Sequence, residues 1–215
     1  MRHLPSLAAL LTLGSLALGT SSVPSAHALG RGAAVDRPVD AGAARASDRR
    51  RCPSTAESRL RRLGLRLPPP FVPAGTYVNA VRTGGHLILG GHVPITPEGD
   101  LVLGRLGEDL DVAAGQRAAR LAALSALATI RDELGSLDRV RRVVSVFGVV
   151  NATPQFTQHT QVVNGASDVF VALWGRRGQH TRLAVGFSSL PANLALEITM
   201  TVEVSACRAV RRSGA

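Results

Sequence analysis

Val140 to Val150 is an almost continuous run of β-branched and apolar residues, bracketed by Arg139, Arg141 and Arg142 and by Asn151 to Pro154. Side chains of this kind favour the pleated backbone of a strand, and a strand apolar on both sides has to be covered on both sides. The run therefore demands a layered fold, with helices on one face of a sheet and a second cover on the other. Val144, Val146 and Val150 are expected on that second face. The economical cover is another copy of the chain, since apolar surface removed from water contributes about 25 cal/mol per Å².

Neighbouring segments supply the remaining layers. Gly75 to His92 alternates strongly through Tyr77-Val78-Asn79-Ala80-Val81 and Leu87-Ile88-Leu89 around a Thr83-Gly84-Gly85 turn, which is a β-hairpin pattern. Glu108 to Leu134 reads as a helix, with acidic residues at its start, Leu121, Leu124, Leu127, Ile130 and Leu134 at helical spacing, and Gly135 as its stop. Phe156 to Trp174 predicts a second helix through Val163, Ala166, Phe170 and Leu173. A shorter helical pattern covers Ala56 to Gly64. His180 to Glu197 then reads as two strands meeting at a Leu190-Pro191 turn. The resulting order is β-β-α-β-α-β-β, an α+β fold with two helices on one face of the sheet.

Alternation assigns faces on the last two strands. Thr181, Leu183, Val185 and Phe187 share one side, and Arg182, Ala184 and Gly186 the other. On the returning strand Leu194, Leu196, Ile198, Met200, Val202 and Val204 form an apolar side opposite Ala195, Glu197, Thr199, Thr201 and Glu203. If the apolar sides pack on helices, Arg182 emerges next to two small residues, with room before a planar guanidinium suited to bidentate capture of a carboxylate. An arginine solvated or ion-paired on a sheet surface fits the same pattern.

The ends of the chain differ in character from this core. Arg2, the apolar run Leu7 to Leu18 and Ala26-His27-Ala28 make residues 1–28 a secretory leader with a cleavage site after Ala28. Residues 29–55 have no hydrophobic period and read as a flexible linker, 56–205 as the folded domain and 206–215 as a basic tail. The expected product is secreted or periplasmic, with no stable membrane anchor. The chain has no lysine and a net charge of +10, yet between Leu60 and Ser205 it carries 14 arginines against 11 acidic residues, a balance of +3. A nearly neutral core argues against specific nucleic-acid binding. Cys52 and Cys207 flank the domain and are candidates for a disulfide, the alternative being two free thiols. The six histidines lack the short paired spacing of zinc sites, and Gly84-Gly85 and Gly90-Gly91 lie in the hairpin instead of at a strand-to-helix turn. Neither a metal centre nor a phosphate loop is expected.

Tyr77-Val78-Asn79-Ala80-Val81, Gly91-His92-Val93-Pro94, Val163-Asn164, and Thr181-Arg182 followed by Pro191 and Glu197 resemble, in order and spacing, the reactive intermediate deaminase (RidA/YjgF) family. The resemblance spans about Leu60 to Val204. The segments Asn151 to Thr157 and Val163 to Asp168 are similar to a branch labelled YjgF/chorismate mutase-like endoribonuclease. It implies a chorismate-mutase-like fold and a homotrimer with a ligand cleft at each subunit interface. It also implies cofactor-free hydrolysis of small enamine or imine acids of the 2-aminoacrylate type to 2-oxo acids and ammonia. Arg182 would grip the substrate carboxylate, Glu197 would serve the attacking water, and Tyr77, Gly91 and Asn164 would line the substrate site. Departures from the family pattern fall at Gly90, His92 and Ala184, where serine, glutamine and cysteine are common. Two further readings are a non-catalytic protein that binds small carboxylates and an endoribonuclease; the second lacks a histidine pair or basic groove to act on a phosphodiester.

Overall fold

A computed structural model describes residues 55–207. In chain order the elements are α1 (Ala56–Arg62), β1 (Ala80–Thr83), β2 (His86–His92), α2 (Val112–Leu134), β3 (Val140–Asn151), α3 (His159–Trp174), β4 (Thr181–Phe187) and β5 (Leu196–Val204). The strands form one sheet in the order β1-β2-β5-β3-β4, antiparallel throughout except for the β3–β4 pair. The α+β class and the expected element order are both present, with α1 ahead of the first strand where the short helical pattern placed it. The leader, nearly all of the linker and the end of the basic tail lie outside the described residues.

Helix boundaries follow from where polar side chains are spent. Asp111 caps α2, its Oδ1 accepting from Ala114 N at 2.6 Å, and Gly135 ends the helix at φ 74°. Glu108 and Asp109 were expected inside this helix but sit ahead of it. Asp109 accepts from Arg105 N at 2.8 Å and Glu108 from Arg105 Nη1 at 3.1 Å, a local turn that competes with helix formation. Helix α3 likewise starts at His159 instead of Phe156, whose amide closes a turn on Thr153 O.

Two expectations about β4 and β5 are overturned. They do not form a hairpin, because β3 lies between them. Helix α3 is a crossover that lays β4 parallel to β3 on one edge, and β5 takes the other edge antiparallel. The Leu190-Pro191 segment is thus a connection over the end of β3, and Ala192 and Asn193 within it have positive φ.

The apolar face of β4 is also reversed. Leu183 and Phe187 are 55% and 51% exposed on the sheet's open face, while Arg182, Ala184 and Gly186 point at α3. The small residues seat the helix. A Cβ on Gly148 would strike Val163, and one on Gly186 would strike the His159 ring. Helix α3 therefore fills the space expected beside the arginine.

On the covered face, Leu87, Leu89, Val143, Val146, Val150, Leu196, Ile198, Met200 and Val202 pack against Ala122, Ala126, Leu127 and Ile130 of α2 and Val163, Ala166, Phe170 and Leu173 of α3. Val146 and Val150 belong here, contrary to expectation. A register irregularity between Val143 and Ser145 shifts the parity of β3, so Val143 and Val146 share a face although three apart. The open face carries half-buried Phe147 and Val149 together with exposed Ile88, Val81, Leu183 and Phe187. At the far end of the helices, Glu57 takes Arg131 Nε and Nη2 at 3.1 and 2.8 Å and Leu137 N at 3.0 Å, tying α1 to the end of α2. Cys207 is disulfide-bonded; Cys52, the chain's other cysteine, lies outside the described residues.

Candidate functional site

The edge strand β4 and helix α3 together hold Arg182. Its Nη1 donates to Asn164 Oδ1 at 2.8 Å and to Ser167 Oγ at 2.9 Å, and its Nη2 to Thr160 O at 3.4 Å. Asn164 and Ser167 are three residues apart on α3 and so share one helix face. Of the five N–H donors of a guanidinium, both on Nη1 and one on Nη2 find acceptors among the described residues. Nε–H and the Nη2–H on the same side make up one edge of the planar group, a geometry that accepts a carboxylate bidentately.

Glu197 belongs to a different place. It pairs with Val149 on β3, which pairs in turn with Val185 on β4, so Glu197 and Val185 share the open face. Arg182 pairs with Val146 and faces the helices. The two residues expected to act together are therefore on opposite faces of one sheet. Glu197 is half-buried, and desolvation raises its pKa above the ordinary carboxylate value. Its carboxylate occupies the space that a side chain at position 91 would fill, which brings the expected pair Gly91 and Glu197 together.

Tyr77 precedes β1 and is 52% exposed, its hydroxyl accepting from Ala74 N at 3.2 Å. Strand β1 is one edge of the sheet and β4 the other. Four strand spacings separate them, roughly 19 Å. Within one chain the expected site residues thus fall into two groups: Arg182 with Asn164 at one edge, and Gly91 with Glu197 toward the β1 end, where Tyr77 also lies.

Two residues beside Arg182 were not anticipated. Ser167 Oγ lies 3.1 Å from His180 Nε2, and His180 Nδ1 lies 2.6 Å from Gly178 O. A signal for both was present, since His180 stands two residues before Arg182, just ahead of β4, and Ser167 three after Asn164 on the same helix face. Burial lowers the His180 pKa; the Gly178 carbonyl opposes this and the Arg182 charge adds to it. Phe170 packs edge-on against the ring at 5.9 Å. Among the described residues there is no group of three or more His, Cys, Asp or Glu able to hold a metal ion, and no helix long and apolar enough to cross a membrane.

Comparison with known proteins places these residues in a wider setting. Residues 57–204 match the family described as YjgF/chorismate mutase-like, putative endoribonuclease. Protein TCP17 of Trypanosoma cruzi is 42% identical over 147 residues, covering 68% of this chain and 92% of that protein. The crystal structure of Atu1372 from Agrobacterium tumefaciens, a protein of unknown function, is 38% identical with a TM-score of 0.64 over 70% of this chain and 92% of that one. A structure from Shewanella oneidensis described as a putative endoribonuclease is 32% identical, with a TM-score of 0.68 over 70% of this chain and 99% of that one.

Proposed function

The chain belongs to the YjgF/chorismate mutase-like family, and from that membership and the divided site we propose that it is an exported hydrolase of small enamine or imine acids that works as a homotrimer. The observation that carries this reading is the state of Arg182. Asn164 and Ser167 hold both Nη1 hydrogens, so the remaining Nε–Nη2 edge is fixed in direction and suited to one carboxylate.

The chemistry asks little more of the protein. 2-Aminoacrylate tautomerises to 2-iminopropanoate, whose C=N carbon is already electrophilic. Water adds to that carbon, the C–N bond breaks, and pyruvate and ammonia leave. Glu197, with its pKa raised by desolvation, is suited to take a proton from the water and return it to the departing nitrogen. Because Glu197 and Arg182 are on opposite faces, a complete site needs Arg182 and Asn164 of one subunit with Gly91, Glu197 and Tyr77 of its neighbour. The apolar residues on the open face, Ile88, Leu183 and Phe187 among them, support assembly through that face. Residues 1–28 support export.

A second reading follows from the same division: a lone chain retains the arginine clamp without the carboxylate and would bind small carboxylates without acting on them. Generating 2-aminoacrylate in situ with a serine dehydratase and following pyruvate formation decides between the two. The deaminase reading requires acceleration by wild type that Arg182→Ala abolishes. Equal rates would overturn it, and carboxylate binding without acceleration would establish the second. RNA cleavage that survives repurification would establish the endoribonuclease suggested by the family's description.

A further inference from the structure

The polar groups behind Arg182 form a directed chain. Gly178 O can only accept, so His180 Nδ1, 2.6 Å away, carries a hydrogen. In the neutral ring Nε2 is then an acceptor, and the Ser167 hydroxyl 3.1 Å away donates to it. With its hydrogen committed to His180, Ser167 Oγ presents lone pairs to Arg182 Nη1 at 2.9 Å. Each member fixes the orientation of the next, from a backbone carbonyl to a guanidinium. We propose that Ser167 and His180 are positioning residues that lock the Arg182 guanidinium with its Nε–Nη2 edge outward, so that a small carboxylate binds a preset clamp.

This inference rests on the carboxylate reading of Arg182 and adds the means by which the clamp is aimed. Without Ser167 one Nη1 hydrogen would be undirected, leaving Asn164 Oδ1 and the longer Thr160 O contact to hold the group, and the guanidinium plane could then pivot about the Cδ–Nε bond and swing the edge. Ser167 fixes that hydrogen, and His180 keeps the hydroxyl from turning its hydrogen toward the cation. Phe170 packs against the ring and holds it in place. Hydrogen bonds to charged groups are stronger than neutral ones, so loss of this one is large enough to read in binding.

Ser167→Ala is nearly isosteric, which makes it the variant of choice. Two readouts apply: pyruvate affinity by calorimetry, and the guanidinium signals of Arg182 in ¹⁵N-arginine NMR, assigned by their absence from Arg182→Ala. Wild type is expected to give resolved, slowly exchanging Nη1 hydrogens. Ser167→Ala is expected to average them and to raise the pyruvate Kd about tenfold or more. Ser167→Thr, which keeps the hydroxyl, restores both. His180→Ala moves both in the same direction and serves if the serine variant does not fold. Unchanged Nη1 signals in Ser167→Ala overturn the proposal, as does an unchanged pyruvate Kd. If wild type binds no pyruvate, the carboxylate reading of the site fails, while the NMR comparison still decides whether the relay orders Arg182.

Discussion

The Glu197 carboxylate stands where a Cβ on Gly91 would be. The contact is with the far end of a flexible side chain, so the two effects of filling that space separate. In Gly91→Ala the Glu197 carboxylate swings aside and the sheet stays intact, for a stability cost of about 1 kcal/mol or less. The deaminase activity proposed above, in which that carboxylate serves the attacking water, is expected to fall by about 100-fold, within the range ascribed to a positioned acid–base group. Thermal melting and the coupled pyruvate assay together check this; a large loss of stability with activity retained would contradict it.

Much of the layer structure was legible because hydrophobic periods report burial directly. The β3 run, the Leu121 to Leu134 stripe and the Gly135 stop of α2 all act locally, whereas the start of α2 read early because Arg105 holds Glu108 and Asp109 in a turn ahead of it. Strand pairing is not local, which is why β4 and β5 read as a hairpin until α3 carried β4 to the far edge of β3. Face assignment on β4 failed for a related reason. Both of its faces carry a signal, large apolar residues on one and small residues on the other, and small residues beside an arginine look like space. Gly148 and Gly186 are small because α3 presses on them. The irregularity near Ser145, invisible in composition, then flips the parity of β3 and moves Val146 and Val150 to the helix side. At the site, Arg182, Asn164, Gly91 and Glu197 were recognisable by motif, whereas their division between opposite faces of one sheet depends on pairing that only the fold supplies.

Glu197 should weaken the fold at neutral pH. Its pKa is raised in the folded state by desolvation, so folding favours the protonated carboxyl. The favourable contribution is present below the ordinary glutamate value of about 4.3 and is lost as pH rises through the raised folded value. Glu197→Gln removes the charge without changing the shape. The variant is expected to melt roughly a few degrees above wild type at pH 8, with the gap closing near pH 4 and deaminase activity lost. Melting curves across that range check the sign; a variant less stable than wild type at pH 8 would refute it.

His92 acts in the opposite direction. It is fully buried at the end of β2, its Nδ1 3.0 Å from Gly90 O and its Nε2 2.8 Å from Thr129 Oγ1 of α2. Burial lowers its pKa, with the Gly90 carbonyl opposing. The unfolded chain therefore takes up a proton near the ordinary histidine value of about 6.5 while the folded chain does not. Stability is expected to fall as pH drops below that value. His180, half-buried, acts in the same sense. His92→Gln keeps a side chain able to reach both partners and cannot titrate, so its stability should be flatter between pH 6.5 and 5. Chemical denaturation at several pH values gives the comparison directly.

The division of the site between Arg182 and Glu197 leads to the most demanding test. If the chain assembles as the proposed homotrimer and each working site takes Arg182 from one subunit and Glu197 from its neighbour, Arg182→Ala and Glu197→Gln each destroy every site in their own assemblies. A mixed trimer restores a site wherever a Glu197→Gln subunit, with its intact arginine, offers that arginine to an Arg182→Ala subunit with its intact glutamate. Random mixing of equal amounts makes that arrangement at about a quarter of the interfaces. Co-refolding the two inactive variants is thus expected to recover about a quarter of wild-type deaminase activity. The double variant Arg182→Ala/Glu197→Gln, co-refolded with wild type, should recover none beyond the wild-type sites that remain. Recovery also has to track subunit exchange, measured by mixing differently tagged chains, since a site complete within one chain would give no recovery however well the chains exchange.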